Sequence, residues 1–357
     1  MKEFFGISED VLKEKKSFHT AKEILQQPRL WKETLKIFEN SKSRLEDFFE
    51  KIGFNEEFDV IFTGAGTSEY VGNILEPMLR KKSHVNFKSI GTTDILSNPL
   101  NYLKKGKKTL IVSFARSGDS PESAAVIDIA DELIEEVYHF FITCNSEGAL
   151  AKRAEGNGRI FLLLQPEESN DKGFAMINSF SCMLLSGILS FSENKLEIIE
   201  DMKKISETAQ EELEKKYSAV KELAEKEHKR IVILGSGILK GLSEELSLKI
   251  MELSGGKVVS VSNTPLGFRH GPKAIINEET VIFELVNQNG YAQKYDEGLL
   301  EEMYEEKIAE RLVAYCIDSN ETIKAVTHET LQPSESEIRQ IADNELASLF
   351  IYLVYGH

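Results

Sequence analysis

The sequence predicts an α/β fold: two tandem doubly wound parallel-sheet domains related by duplication, behind an N-terminal helical segment. Short apolar runs alternate with helical segments from Val60 onward, the pattern of a parallel sheet covered by helices on both faces. The runs of the two halves overlie one another at an almost constant offset of about 171 residues, which marks an internal repeat. Each half also opens as strand, Gly-x-Gly, helix.

Residues 1–58 read as helical: an amphipathic stretch from Ala21, broken at Pro28, then Leu30, Trp31, Leu35, Phe38, Leu45, Phe48 and Phe49 at helical spacing. The first domain, 59–200, has strands at 60–62, 85–87, 110–114, 140–143 and 160–164. A linker helix rich in Glu and Lys, 194–229, carries the boundary, and the second domain, within 201–357, opens its strands at Ile231. Residues 60–64 overlie 231–235, Val85 overlies Val258, and 110–113 overlie 281–284. A chain of 357 residues is long enough for about two such domains at roughly 150 residues each.

Composition removes several function classes. The net charge of −16, from 59 acidic and 43 basic residues, repels a nucleic-acid backbone. The longest apolar run, 349–355, is seven residues against the roughly 20 that cross a bilayer. We therefore expect no nucleic-acid and no membrane partner. Cys144, Cys182 and Cys316 are odd in number and widely spaced, which suits a reducing cytoplasm and no disulfide framework. The N-terminus, MKEFFGISEDVLKEKK, has no secretory pattern.

The first Gly-x-Gly turn is Gly64-Ala65-Gly66 and the second Gly235-Ser236-Gly237. Both lack the third small residue of a dinucleotide fingerprint, having Glu69 and Lys240 there, so no nicotinamide cofactor is expected. The first turn continues Thr67, Ser68, which adds hydroxyls to the amides of a helix N-terminus; a purely structural turn is the competing reading. The third strand of the first half runs into Arg116, Ser117, Gly118, Asp119, Ser120 and Pro121. Pro suits the first helical position, so amides, hydroxyls and the helix dipole converge where a phosphate would sit. Ser117 and Ser120 would donate to it and Arg116 would offset its charge, or Ser120 would only cap the helix. The second half ends its third strand at Glu284 and Leu285, where a carboxylate repels phosphate.

Two groups in the second half could move protons. Glu245, Leu248, Lys249 and Glu252 fall at i, i+3, i+4 and i+7, which puts both carboxylates on one helix face, with Glu252 at the helix end beside Ser254-Gly255-Gly256. His270 lies in Pro-Leu-Gly-Phe-Arg-His-Gly-Pro, 265–272, a loop too rich in Gly and Pro for a strand. The other histidines show no metal-ligand spacing, and no metal is expected. Cys144, at a strand end, reads as a buried thiol rather than a nucleophile.

These residues resemble the sugar isomerase (SIS) domain family, which binds phosphosugars through a Gly-x-Gly-Thr-Ser turn and a Ser-x-Ser-Gly-x-Ser/Thr loop. Here the loop's first Ser is Ala115. Longer segments are similar to the AgaS group: His19-Thr20-Ala21 with Gln26-Gln27-Pro28, then 64–68, 112–123, 142–145, 170–174 and 264–273. The resemblance implies tandem SIS domains acting on a phosphorylated hexose or amino-hexose. It implies Gly66, Thr67, Ser68, Arg116, Ser117, Gly118 and Ser120 as substrate-binding, with Ser68, Ser117 and Ser120 on the phosphate. It also implies Glu252 as the base that shuttles a proton between C1 and C2, and His270 as the ring-opening imidazole, reaching into the neighbouring subunit of a homodimer. Residues 170–173 would contact sugar or an interface. The reaction is either ketose/aldose isomerisation of tagatose 6-phosphate or deamination of galactosamine 6-phosphate, with a non-catalytic phosphosugar sensor as the alternative. The chain stops at His357 in an apolar helix, where the resembled enzymes continue into a tail holding a substrate-contacting lysine. The expectation is that this tail is missing, and no spacing recommends Lys273 in its place.

Overall fold

A computed structural model of the chain describes residues 3–226, 228–333, 338, 341 and 344–357. Two compact units emerge, Arg29–Ile199 and Met1–Pro28 with Glu200–His357. Each is built on one five-stranded parallel sheet.

In the unit Arg29–Ile199 the strands are β1 Asp59–Thr63, β2 Asn86–Ser89, β3 Thr109–Ala115, β4 Val137–Thr143 and β5 Ile160–Leu164, in the order β2-β1-β3-β4-β5. Strands buried on both faces need unbroken apolar runs, and all residues of β1 and β3 are buried. Because side chains alternate along a strand, Ile61 and Ile111 join Val126, Ala130 and Ile134 in an aliphatic layer. Phe62 turns the other way, stacking on Phe87 with ring centroids 5.5 Å apart and meeting Phe191 edge-on. Burying one such ring stabilises the fold by roughly 1.5–3 kcal/mol.

The other unit repeats the plan with β6 Arg230–Gly235, β7 Val259–Asn263, β8 Thr280–Leu285, β9 Arg311–Tyr315 and β10 Glu329–Leu331, in the order β7-β6-β8-β9-β10. Counted within each unit, both orders are 2-1-3-4-5. The registers repeat as well: Asp59 pairs with Thr109 and Arg230 with Thr280, the same pairing moved by 171 residues at both positions. The two parallel-sheet domains expected from the sequence are therefore present, and their strands start within a few residues of the predicted positions. This unit also holds a short antiparallel hairpin, Glu3–Phe4 with Ile7–Ser8.

The helices that matter below are α1 Phe18–Ile52, α2 Thr67–Arg80, α3 Pro121–Leu133, α4 Asn178–Phe191, α5 Lys195–Lys215, α6 Tyr217–Ala224, α7 Ile238–Ser254, α8 Gly290–Glu306 and α9 Asn344–Gly356. Two differ from the sequence reading. Helix α1 runs through Pro28 instead of breaking there. Proline leaves the carbonyl four residues back without its donor, and Gln27 Nε2 reaches that carbonyl, on Ile24, at 3.5 Å. The linker expected as one helix is two, α5 and α6, separated at Lys216 with φ −120° and ψ 6°.

The duplicated turns depend on glycine for two separate reasons. Gly66 and Gly237 adopt nearly identical left-handed conformations, φ 56° and 59°, that side chains disfavour. Gly64 and Gly235 instead lie under the first turn of the following helix: a Cβ at Gly235 would come within 2.4 Å of the Leu239 carbonyl oxygen, and one at Gly64 within 2.5 Å of the Ser68 backbone. Gly235→Ala is expected to destabilise the unit by about 1–3 kcal/mol, read from the urea midpoint. Gly106→Ala, where an added Cβ meets nothing within 4 Å, is expected to stay within about 0.5 kcal/mol. Equal effects would refute the crowding argument.

Candidate active site

In a doubly wound sheet, ligands bind beyond the carboxyl ends of the strands, where the chain leaves neighbouring strands in opposite directions. In the unit Arg29–Ile199 that point lies between β1 and β3, whose last pairing is Thr63 with Ser113. Both sequence-predicted phosphate segments follow these two strands. After β1 the chain turns through Gly66, and Thr67 and Ser68 begin α2, buried at 4% and 6% exposure. The Gly64 carbonyl is held by the Thr92 amide at 2.8 Å and the Thr92 hydroxyl at 3.1 Å. Thr92 was not singled out in the sequence, because 28 residues separate it from its partner.

After β3 the loop 116–120 is fixed from outside. Asn145 Nδ2 donates to the Ser117 carbonyl at 3.0 Å, and the Ala149 amide donates to Asp119 Oδ1 at 2.8 Å. Gly118, at φ 69°, makes the turn, and Ser117 is left exposed. Ser120 caps α3: its hydroxyl accepts from the Ser123 amide at 3.2 Å. The capping role weighed for Ser120 is thus present. The Arg116 guanidinium turns to the Gly173 and Phe174 carbonyls, at 3.2 and 3.3 Å, and so ties the 170–177 segment to the loop.

That segment closes on Asp171. Its carboxylate accepts the amides of Ile177, Asn178 and Ser179 at 2.9–3.0 Å and the Ser179 hydroxyl at 2.6 Å. Burial pushes its carboxyl above the ordinary range, and these hydrogen bonds pull it back. Asp171 is therefore a scaffold residue that seats the start of α4. The Cys144 thiol is buried and pushed well up by that burial, which suits an inert side chain.

In the unit that includes Glu200–His357, the equivalent position is built differently. Asn287, just past β8, donates through Nδ2 to Ser236 Oγ at 3.2 Å, filling the place where a loop could cradle an anion. Glu284 is wholly buried in β8 between Leu234 and Ala314, and burial, then the nearby Asp296, push its carboxyl well up while Arg269 pulls it down. Asp296 is raised to about 7, mainly by burial, against the Asn287 amide that it accepts at 2.8 Å.

Helix α7 brings Glu245, Lys249 and Glu252 onto one face. Lys249, at 2% exposure, lies 3.3 Å from Glu245 Oε1 and 2.6 Å from Glu252 Oε2. Glu252 is one-fifth exposed, and its other oxygen has no hydrogen-bond partner among the described residues. It stands at the end of α7, before the left-handed Gly255, on the side where β7 begins. His270 follows β7 on the loop after the short helix Pro265–Phe268; its ring is exposed, and its side chain has no hydrogen-bond or ion-pair partner among the described residues. No hydrogen bond or ion pair joins Glu252 to His270. No group of three or more His, Cys, Asp or Glu side chains placed to hold a metal occurs among the described residues, and none of their helices is long and apolar enough to cross a membrane.

Comparison with known proteins places this geometry. The SIS domain model matches residues 224–355. The D-galactosamine-6-phosphate deaminase AgaS of Escherichia coli is 36% identical over 345 residues, covering 94% of this chain and 86% of that protein. A solved structure from Clostridium novyi NT, provisionally assigned as a tagatose-6-phosphate ketose/aldose isomerase, is 40% identical with a TM-score of 0.93 over 100% of this chain and 92% of its own. The tagatose-6-phosphate ketose/aldose isomerase structure from Escherichia coli is 33% identical with a TM-score of 0.83, covering 95% and 92%.

The buried lysine dictates how α7 responds to substitution. Lys249→Met is expected to destabilise by roughly 3 kcal/mol or more, because it strands the buried Glu245 carboxylate. Glu252→Gln removes a more exposed partner and should cost about 1 kcal/mol or less. Urea unfolding of the two variants checks the order, and a Lys249→Met protein as stable as the native one would overturn it.

Proposed function

For this chain, which belongs to the SIS family and to its AgaS group, we propose the isomerising deamination of an amino-hexose 6-phosphate, galactosamine 6-phosphate going to tagatose 6-phosphate and ammonia. The observation that carries the reading is the pair of hydroxyl-bearing turns after β1 and β3 at the switch point of one sheet. A phosphate there would meet helix N-terminal amides and the dipoles of α2 and α3. In our reading Gly66, Thr67, Ser68, Ser117, Gly118 and Ser120 bind it, and Arg116 contributes its backbone while its side chain shapes the adjoining segment.

The reaction follows from the acidity that a carbonyl gives its neighbouring carbon. Ring opening exposes the C1 aldehyde, and His270 is assigned to move the proton between ring oxygen and anomeric hydroxyl. Glu252 takes the C2 proton as the C1 oxygen gains one from the substrate's ammonium group, leaving a neutral 1,2-enolamine, and the protonated Glu252 then returns its proton to C1 to give the protonated C2 ketimine. Water then adds at C2, and ammonia leaves as the ketone forms. Glu252 suits the task because Lys249 holds one of its oxygens at 2.6 Å, fixing the carboxylate while the other oxygen stays open to substrate. In this reading the exposed ring of His270 serves the neighbouring copy's site of a homodimer, as the family resemblance implies. The names of the Clostridium novyi and Escherichia coli structures favour one other reading, plain ketose/aldose isomerisation, which uses the same residues through an enediol and releases no ammonia.

Galactosamine 6-phosphate is expected to yield ammonia and ketose phosphate in equal amounts; ketose phosphate from an aldose phosphate without ammonia from the amino sugar would move the assignment to the isomerase. Glu252→Gln is expected to lose roughly 100-fold or more in turnover while binding the sugar phosphate within about twofold, and unchanged turnover would remove Glu252 from the chemistry. Ser117→Ala is expected to weaken calorimetric binding about tenfold, roughly 1.4 kcal/mol, with the thermal midpoint unmoved. Ser120→Ala should lower both, since a lost helix cap costs about 1 kcal/mol.

A further inference from the structure

His270 is exposed, so packing cannot fix its ring, yet its backbone is held on both sides. Two residues before it, Phe268 is fully buried among Val232, Leu234, Ile282 and the α8 residues Leu299 and Leu300. Thr264 caps the turn that carries Phe268, its hydroxyl accepting from the Gly267 amide at 3.1 Å. Directly after it, Gly271 at φ 121° turns the chain into Pro272–Ile275.

Ion pairs then clamp this loop to α8. Arg269 Nε lies 3.0 Å from Glu302 Oε2, and Lys273 Nζ contacts Glu302 Oε1 and, at 2.7 Å, Glu306 Oε1. Glu302 thus bridges the cation one residue before His270 and the cation three residues after it. The Arg269 guanidinium rests against Gly298, one turn earlier on α8. The Lys273 bond holds the Glu302 carboxyl below its ordinary range, and Arg269 adds to the effect. A surface pair of this kind adds little to global stability. Two pairs sharing one carboxylate, on either side of a single exposed imidazole, instead define where that imidazole is presented.

We propose that Glu302, supported by Glu306, is a positioning residue that sets the place of the His270 imidazole through Arg269 and Lys273. The proposal rests on the ring-opening role given to His270 above. The two cations of the loop, Arg269 and Lys273, are paired with two carboxylates of α8, Glu302 and Glu306. Glu284, buried in β8, feels both Arg269 and Asp296 of α8, and Glu301 and Glu305 are exposed on α8.

The experiment uses the full chain with galactosamine 6-phosphate as substrate and a hexitol 6-phosphate, which cannot cyclise, as a competitive probe of the phosphate site. Glu302→Gln is expected to lower kcat about tenfold, as a displaced catalytic group does, with KM within about twofold. Glu302→Asp keeps the charge and should recover most of the rate, and the hexitol inhibition constant should not change in either variant. A Glu302→Gln enzyme with native kcat, beside a slow His270→Ala enzyme, would overturn the clamp. A His270→Ala enzyme as fast as the native one would remove the role of His270 and the proposal with it, and the speed of that variant tells the two failures apart.

Discussion

Everything in the two sheets that bears on binding depends on one close approach: a helix beginning directly over the end of the strand before it. At Gly64 and Gly235 the first helical turn lies too near for any Cβ, 2.5 and 2.4 Å from where one would stand. Removing that carbon lets the helix axis start above the sheet end, so its free amides face the space beyond the strands. Gly66 and Gly237 then reverse the chain in a conformation open mainly to glycine. The same four-residue solution, at the same register, explains why two halves with little else in common keep one topology.

The halves diverge in charge, and charge decides which one suits an anion. Ser113 and Glu284 sit at the same place in their strands, 171 residues apart. Beyond Ser113 the chain offers Ser117, Gly118 and Ser120, a loop whose shape is fixed by Asn145 and Asp119 through its backbone. Beyond Glu284 it offers Asn287, turned onto Ser236, with two buried carboxylates behind it. Any ionised fraction of those carboxyls would repel a phosphate at the second position, where Asn287 already engages the Ser236 hydroxyl and no loop of hydroxyls replaces it. Released from phosphate binding, the second half could accumulate other chemistry on its helices and loops, and the carboxylate and imidazole assigned to proton transfer both lie there.

Strands, duplication and turns were legible in the sequence because each is a local pattern: continuous apolar runs, a fixed offset, Gly-x-Gly before a helix. The exceptions have local causes that composition hides, as at Pro28, where the neighbouring Gln27 side chain supplies the donor that proline lacks. Contacts between distant residues were not legible. Thr92 on the Gly64 carbonyl, Asn145 on the loop at Ser117 and Arg116 on the 173–174 carbonyls each span 28 or more residues. No periodicity announces a side chain that serves someone else's backbone. Lys249 was visible as helix spacing, but its burial between two carboxylates was not, since spacing gives the face and not the depth.

A group that must meet a ligand cannot also be held by being buried. The chain meets this constraint in two ways. Glu252 is fixed through its own second oxygen, bonded to a lysine that is itself buried, so half the carboxylate is committed and half is open. The His270 ring commits neither nitrogen to a partner among the described residues, and there the restraint passes to its neighbours in sequence: Phe268 in the core, Gly271 in a conformation few residues share, and two cations on the carboxylates of α8. Restraint through neighbours fixes the backbone firmly and the ring more loosely. That division suits the role proposed for His270, exchange of a proton with two different oxygens of one sugar, whereas the base proposed at Glu252, which would return a proton to the adjacent carbon, needs the shorter tether that Lys249 gives it.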